Sequence, residues 1–220
     1  MQAIGGLKEG IESSRRSDGR AGVGELDARL PAKTLGEFVK LAKSKPGLLN
    51  YGSYGIASMA QLNIEALKAK LGIDLVHVPY KGAGPAVQAV VAGEASATIA
   101  SPAAVLGFIR EGRLRALAIG DKERSPLLKD VPTLREAGGD NETLVPTYFA
   151  FAVPAKTPAA IVARLHEAMR AAVKSPETAE RLYTAGLEPT GGTGAELLEL
   201  VKSDIPRFRG IIQNIGIQPE

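Results

Sequence analysis

Glycines and polar side chains between Leu48 and Leu71 have the spacing of an anion-binding turn. The pattern predicts a short buried strand at Leu48–Tyr51 and a turn at Gly52–Gly55. An amphipathic helix follows, with Ser58 as its N-cap. The free N–H groups of its first turn carry partial positive charge and attract anions, and two serine hydroxyls lie nearby. We predict that a small carboxylate binds here, although a turn that only reverses the chain would use the same residue types.

Four further side chains lie in predicted turns that follow strands. Lys81 could attract an anion, but a solvated turn lysine is the commoner case. Tyr54 and Tyr80 could supply hydroxyl groups or walls, and half-buried tyrosines are usual at such positions. Ser101 precedes Pro102, so helix capping explains it as well as ligand contact does.

The residue types that metal and covalent chemistry need are scarce. The chain has no cysteine, which excludes disulfides, thiolate metal sites and cysteine nucleophiles. Its two histidines, His77 and His166, lack metal-ligand spacing, and we interpret both as structural or surface residues. Ser53 resembles the serine of a nucleophile elbow, but Tyr51 replaces the first glycine of that motif. We therefore predict no catalytic residue, no metal site and no cofactor.

Nucleotides and nucleic acids are poor candidate ligands. The segment Gly82–Val87 begins like the dinucleotide-binding GxGxxG motif, but Val87 blocks its third small position and Pro85 removes an N–H. The net charge is only +3, no long basic run occurs, and tryptophan is absent.

No apolar run approaches the ~20 residues that span a bilayer. The first residues also lack the apolar core of a secretory signal.

Predicted strands and helices alternate through the central part of the chain. This order implies βαβ units and a largely parallel sheet, whose ligands bind at the carboxyl ends of the strands. Four turns are expected to meet at that edge: Gly52–Ser58, Tyr80–Gly84, Ser101 and Gly120–Asp121.

The two ends of the chain have a different character. Residues 1–29 are polar, glycine-rich and without a sustained period, so we predict a poorly ordered leader. Beyond a strand at Thr147–Val153 the chain is predicted to be mostly helical, with the last helix broken or kinked at Pro206. Three capping boxes predict helix N-termini, at Thr34/Glu37, Thr133/Glu136 and Thr193/Glu196.

Six ordered blocks carry a resemblance to a known family. The blocks are KPGLLNYGSYGIAS, VHVPYKGAGPAV, ASPAAVLGFIREGRLRALAI, SPLLKDVPTLREAG, VPAKTPAAIVARL and LEPTGGT. They resemble the receptors of tripartite tricarboxylate transporters, also called Bug or TctC-type solute-binding proteins. The resemblance extends from about Leu30 to Glu220 without a large gap.

The resemblance implies an α/β fold of the type II periplasmic-binding-protein kind, with two lobes that close around a ligand. Residues 30–146 would form one complete ligand-binding lobe. Residues 147–220 would form the hinge crossover and the C-terminal helices of an incomplete second lobe. The implied protein is a periplasmic receptor that passes a small di- or tricarboxylate to membrane permease subunits. It would use no cofactor, catalyse no reaction and bind no nucleic acid.

The same resemblance implies a set of ligand-binding residues. They form the carboxylate-holding turn and its two neighbouring turns: Gly52, Ser53, Tyr54, Gly55, Ala57, Ser58, Tyr80, Lys81 and Ser101.

The sequence departs from the family pattern before Leu30. The family's export signal, first strand and most of its first lobe should precede this residue, and residues 1–29 do not resemble them. We therefore expect an N-terminally truncated receptor that binds ligand weakly or not at all. The helices after Pro154 would expose an apolar face suited to self-association.

Two other interpretations stay open. The effector domain of a LysR-like regulator shares this architecture, but it needs a preceding helix-turn-helix, for which residues 1–29 are too short and glycine-rich. An enzyme would need a general base near the cleft, and the nearest candidates are Lys81 and Asp121.

Overall fold

The computed structural model describes residues 11–15, 23–140, 143–144, 148–184, 189 and 191–214. The chain divides into two compact units. The five-stranded unit contains Arg20–Val145 and Phe208–Glu220, and the two-stranded unit contains Met1–Gly19 and Pro146–Arg207.

The strands are, in chain order, β1 (Ile11–Arg15), β2 (Val23–Asp27), β3 (Asn50–Ser53), β4 (Val76–Pro79), β5 (Ala97–Ala100), β6 (Leu114–Ile119) and β7 (Tyr148–Phe151). The helices are α1 (Leu35–Ser44), α2 (Met59–Leu71), α3 (Ala83–Ala92), α4 (Pro102–Arg110), α5 (Ala159–Lys174), α6 (Pro176–Thr184) and α7 (Gly194–Asn214).

The larger sheet is mixed, in the order β4-β3-β5-β2-β6. Strand β3 runs parallel to β4 and β5, whereas β2 runs antiparallel to both β5 and β6. Strand β6 therefore has the same direction as β3, β4 and β5, so the carboxyl ends of these four strands lie at one edge. This arrangement confirms the predicted α/β class and the common edge of the four turns. The expectation of a largely parallel sheet missed β2.

The prediction of a poorly ordered segment at residues 1–29 is wrong for the two strands within it. Strand β2 lies inside the sheet and forms backbone hydrogen bonds with a neighbour on each side. Its Glu25 is fully buried, and Asp27 receives a hydrogen bond of 2.8 Å from the Arg29 guanidinium. Pairing on both edges outweighs the weak apolar pattern of this strand. Residues 1–10 and 16–22 lie outside the described part of the chain.

Local capping signals place the helix starts well. In the Thr34 box, the Glu37 N–H donates to Thr34 Oγ1 at 3.2 Å, and α1 begins directly after Thr34. The Thr193 box is formed in the same way at the start of α7. The Thr133 box is also formed, but it closes a turn rather than a helix. Helix α7 continues through Pro206, so of the predicted break or kink the break does not occur.

Two apolar clusters cover the opposite faces of the five-stranded sheet. One contains side chains of α1 and α2, among them Phe38 and Ile64. The other contains side chains of α3 and α4, among them Val90 and Val105. A cavity of about 70 Å³ lies in the first cluster, lined by apolar side chains and by the buried Glu25. The parallel strands are therefore held between two helical layers, as buried parallel strands require.

The two-stranded unit pairs β1 with β7 in antiparallel fashion, and α5 lies beside β1. Several of its large apolar side chains are at least 40% exposed: Phe149, Phe151, Ile161, Leu165 and Tyr183. Within the described ranges, no helix is both long and apolar enough to cross a bilayer. The same residues contain no cluster of histidine and acidic side chains suited to a metal ion.

Candidate ligand-binding site

The candidate site lies at the carboxyl edge of the five-stranded sheet. Strands β3, β4 and β5 lead into α2, α3 and α4, so three helix N-termini lie along this edge. The register places Ser53 of β3 opposite Pro79 of β4, which brings the first two turns side by side. Each helix N-terminus adds partial positive charge, and together they favour an anion.

Several donors at this edge have no acceptor among the residues that the structure describes. They include the N–H groups of Met59 and Ala60 in α2 and those of Ala83 and Gly84 in α3. Ser101 is the N-cap of α4, yet its half-buried hydroxyl makes no capping hydrogen bond. These groups could receive the oxygens of a carboxylate at no cost to existing protein hydrogen bonds.

The turn between β3 and α2 has an unusual backbone. Gly55 has a φ of 131° and Ala57 a φ of 59°, so Ala57 lies in the left-handed region that normally favours glycine. Ser58 caps α2 as predicted, because its Oγ accepts from the Gln61 N–H at 3.4 Å. The helix ends as predicted at Gly72, which has a φ of 63°.

Protein groups surround the Ser53 hydroxyl, for which a direct ligand contact is predicted. Its side chain is fully buried. The hydroxyl lies 2.9 Å from the Gly55 carbonyl oxygen, 3.2 Å from the Gly55 nitrogen and 2.6 Å from His77 Nε2. These neighbours connect Ser53 to its own turn and to His77 of β4, and its ligand contact stays a prediction.

Several backbone N–H groups of the turn that was predicted to bind the carboxylate likewise donate to protein groups. The Gly55 N–H donates to Ser53, the Ala57 N–H donates to Gln61 Oε1 at 2.6 Å, and the Ser58 N–H donates to the Gly55 carbonyl. Directly after these bonded amides, the N–H groups of Met59 and Ala60 have no acceptor among the described residues. The N-terminus of α2 stays available, while three amides of the preceding turn are bonded internally.

The tyrosines and lysine of the prediction lie at the same edge. The Tyr54 hydroxyl donates to the Ile99 carbonyl of β5, so this side chain spans from one turn to the end of a neighbouring strand. The Tyr80 ring packs over Gly52, where an added Cβ would lie 3.3 Å from ring atom Cε2. Burial, with a smaller contribution from Glu94, raises the pKa of Tyr80. Lys81 is exposed, and no acidic partner for it occurs in the described ranges.

Sequence reasoning missed the contacts that Gln61 and His77 make with the turn. Gln61 stands three residues after Ser58, and this Ser-x-x-Gln spacing is itself a capping-box signal. The Gln61 amide lies between the Ala57 N–H and His77 Nδ1, the latter at 3.2 Å from Gln61 Nε2. His77 was interpreted as structural or surface, and its half-buried place among polar partners fits the structural option.

A second polar group lies next to His77. The His77 ring stacks on Tyr51 with 5.0 Å between centroids, and the Tyr51 hydroxyl donates to Glu65 at 2.6 Å. Burial, and then the hydrogen bond and charge of Glu65, raise the pKa of Tyr51. Burial lowers the pKa of His77; the Glu65 charge opposes this shift and the Lys68 charge adds to it. The lowered pKa favours the neutral form of the imidazole.

The mixed sheet with helices on both faces has the fold of solute-binding proteins of the periplasmic type. An R. palustris protein solved with adipate superposes with a TM-score of 0.84 at 26% identity, covering 98% of this chain and 71% of that chain. MatC from Rhodopseudomonas palustris, solved with bound malate, gives a TM-score of 0.80 at 28% identity, covering 94% of this chain and 69% of that chain.

The family follows from the sequence comparison. A family model described as "Tripartite tricarboxylate transporter family receptor" matches residues 23–217, and the chain belongs to this family. A UPF0065 protein of Bordetella pertussis is 34% identical over 190 residues, which is 86% of this chain. The chain spans 58% of the length of that relative.

These findings confirm the resemblance carried by the six sequence blocks. Members of this family are periplasmic solute-binding receptors rather than enzymes. The family match and the structural similarity favour the receptor interpretation over a LysR-like effector domain.

Proposed function

We propose that this chain is an extracytoplasmic receptor that binds a small organic di- or tricarboxylate for a tripartite tricarboxylate-type transporter. One observation carries the proposal: three helix N-termini lie along one sheet edge, with donors that have no acceptor in the part of the chain that the structure describes. The adipate and malate bound to the two similar R. palustris proteins support the ligand class. The periplasm as location and membrane permease subunits as partners follow from the family.

Different donors at this edge would bind different parts of the ligand. The Met59 and Ala60 amides would receive one carboxylate at the α2 N-terminus. The Ser101 hydroxyl and the Ala83 and Gly84 amides of α3 would receive a second polar group of the ligand. Exposed Lys81 would attract the anion during approach without a fixed contact. This arrangement recognises negative charge and hydrogen-bond acceptors, and it requires no cofactor.

The test is titration of the ¹⁵N-labelled chain with adipate and with malate, followed by amide chemical shifts. We expect shifts at Met59, Ala60 and Gly84. The dissociation constant should be on the order of millimolar, because this edge of the sheet offers few donors. Adipamide, the uncharged diamide, is the matched ligand control and should cause none of these shifts. Absence of any change at these amides with either dicarboxylate would overturn the proposal.

A pair of variants tests whether the Ser101 hydroxyl contacts the ligand. Ser101→Ala should weaken binding by roughly 1 kcal/mol, because it removes one hydroxyl donor. Ser44→Ala is the control, since the exposed Ser44 hydroxyl donates only to the Leu41 carbonyl, at 2.8 Å. Equal affinities for the two variants would exclude Ser101 from the ligand set.

We also propose that the two-stranded unit takes part in self-association. The proposal is supported by its exposed apolar side chains, which include Phe149, Ile161 and Leu165.

A further inference from the structure

We propose that Gln61 and His77 are positioning residues that hold the turn at residues 53–58 in the conformation from which α2 meets its ligand. The inference deepens the proposed function and rests on it only for the effect on binding. It rests on a continuous line of hydrogen bonds from Ala57 through Gln61 and His77 to Ser53 and Gly55.

The line begins at a group whose role is fixed. A backbone N–H can only donate, so the 2.6 Å contact of the Ala57 nitrogen requires the oxygen of the Gln61 amide. The Gln61 NH₂ group must then be the end that faces His77 Nδ1, at 3.2 Å. The orientation of the amide follows from the backbone of the turn.

The Gln61 orientation sets the protonation of the imidazole. An NH₂ group can only donate, so His77 Nδ1 must accept and the single ring proton must reside on Nε2. The Nε2–H group then donates to Ser53 Oγ at 2.6 Å. Because that oxygen accepts from His77, its own proton is left to donate to the Gly55 carbonyl at 2.9 Å. Each donor in the line determines the next.

The turn needs this support because its backbone is strained. Ala57 has a φ of 59°, in the left-handed region that is sterically unfavourable for an L-residue. The Gln61 amide holds the Ala57 peptide group, and the Ser53 hydroxyl contacts both the N–H and the carbonyl of Gly55. Neutral His77 joins these two supports, so the turn and the start of α2 depend on one tautomer.

Protonation of His77 would break the line at a defined place. A second ring proton, on Nδ1, would face the Gln61 NH₂ group, and two donors cannot share a hydrogen bond. The amide would have to turn away and release the Ala57 N–H. The charged groups acting on the imidazole within the described residues are Glu65 and Lys68, both on α2, and Tyr51 of β3 stacks on the ring. Burial lowers the pKa of His77, which favours the neutral ring that the intact line requires.

The first test is a ¹⁵N–¹H correlation spectrum of the histidine rings as a function of pH. We expect the Nε2–H tautomer for His77, with His166 as the internal reference ring in the other unit. The Ala57 and Gly55 amide shifts should follow the His77 titration with the same midpoint. Adipate affinity should fall about tenfold once His77 is charged, which corresponds to one lost charge-assisted contact.

Two variants separate positioning from general damage. Gln61→Glu keeps an acceptor for the Ala57 N–H and offers a second to protonated Nδ1, so it should preserve the turn and raise the His77 pKa. Gln61→Ala removes both contacts, so the Ala57 amide should no longer follow the titration of His77.

An Nδ1–H tautomer, or Ala57 shifts indifferent to His77, would overturn the inference. These readouts do not depend on a ligand. A chain with the expected tautomer and coupling that never binds adipate or malate would therefore contradict the proposed function and leave the positioning role standing.

Discussion

The backbone angle φ of Ala57 determines how the turn between β3 and α2 is folded. The peptide N–H of this residue is held by Gln61, and its φ of 59° turns the chain from β3 into α2. The sequence placed Ser58 correctly as the N-cap, because capping depends on neighbouring residues. It could not show that Ser53 would be buried, because the neighbour that occupies its hydroxyl is His77, on another strand. Local chemistry was predictable at this scale, and cross-strand hydrogen bonds were not.

A glycine at position 57 is expected to stabilise the protein. Ala57→Gly removes the left-handed strain but adds freedom to the unfolded chain, and the net gain should be on the order of 1 kcal/mol. Denaturant unfolding measures this gain as a rise in midpoint.

Ala69→Gly is the matched control for this change. Ala69 is exposed within α2, where glycine should cost roughly 1 kcal/mol. A loss of stability for both variants would show that Ala57 is not strained.

At the scale of the element, β2 is the feature that sequence patterns concealed. Its residues read VGELD, and both acids are buried in the structure. Alternation rules interpret such a segment as polar coil, because they assume that charges face water. By contrast, the threonine and serine caps and the regular apolar spacing of α1 and α2 indicate both helices in the sequence. Elements defined by local signals were predicted, whereas the strand defined only by its sheet neighbours was missed.

The cavity beside β2 leads to a prediction for β5. Ala97 lines the cavity of about 70 Å³, and Ala97→Val should fill part of it. The expected gain is on the order of 1 kcal/mol, from added packing in a strand that tolerates β-branched residues. Thermal unfolding provides the measurement.

Ala100→Val on the same strand is the control. Ala100 is 1% exposed, lies in the opposite apolar cluster and does not line the cavity. Overpacking there should cost roughly 1–3 kcal/mol. If Ala97→Val costs as much as Ala100→Val, the cavity cannot accept a side chain.

At the scale of the whole molecule, the two units differ in how well their apolar residues are covered. The five-stranded unit has clusters on both sheet faces, whereas α5 of the two-stranded unit exposes Ile161 by 50% and Leu165 by 40%. The sequence predicted this helix and its apolar stripe, because both follow from helical periodicity. Which surface covers the stripe depends on tertiary packing and was not predictable.

Self-association should therefore depend on α5. Ile161→Glu combined with Leu165→Glu is expected to lower the average mass in sedimentation equilibrium, because charge opposes burial of that face. Ala160→Glu combined with Ala163→Glu adds the same charge at exposed positions of the same helix and should have a smaller effect. A wild-type chain that sediments as a monomer at all concentrations would contradict the proposed self-association.

The place of β2 in the sheet has a consequence for how the protein is made. The ribosome delivers β2 before every other strand of its sheet, yet its partners β5 and β6 emerge only after three and four intervening helices, respectively. Until then its backbone donors and acceptors stay open to other chains. Such pairing across a long loop is slow, so nascent chains should depend on chaperones until β6 has left the exit tunnel.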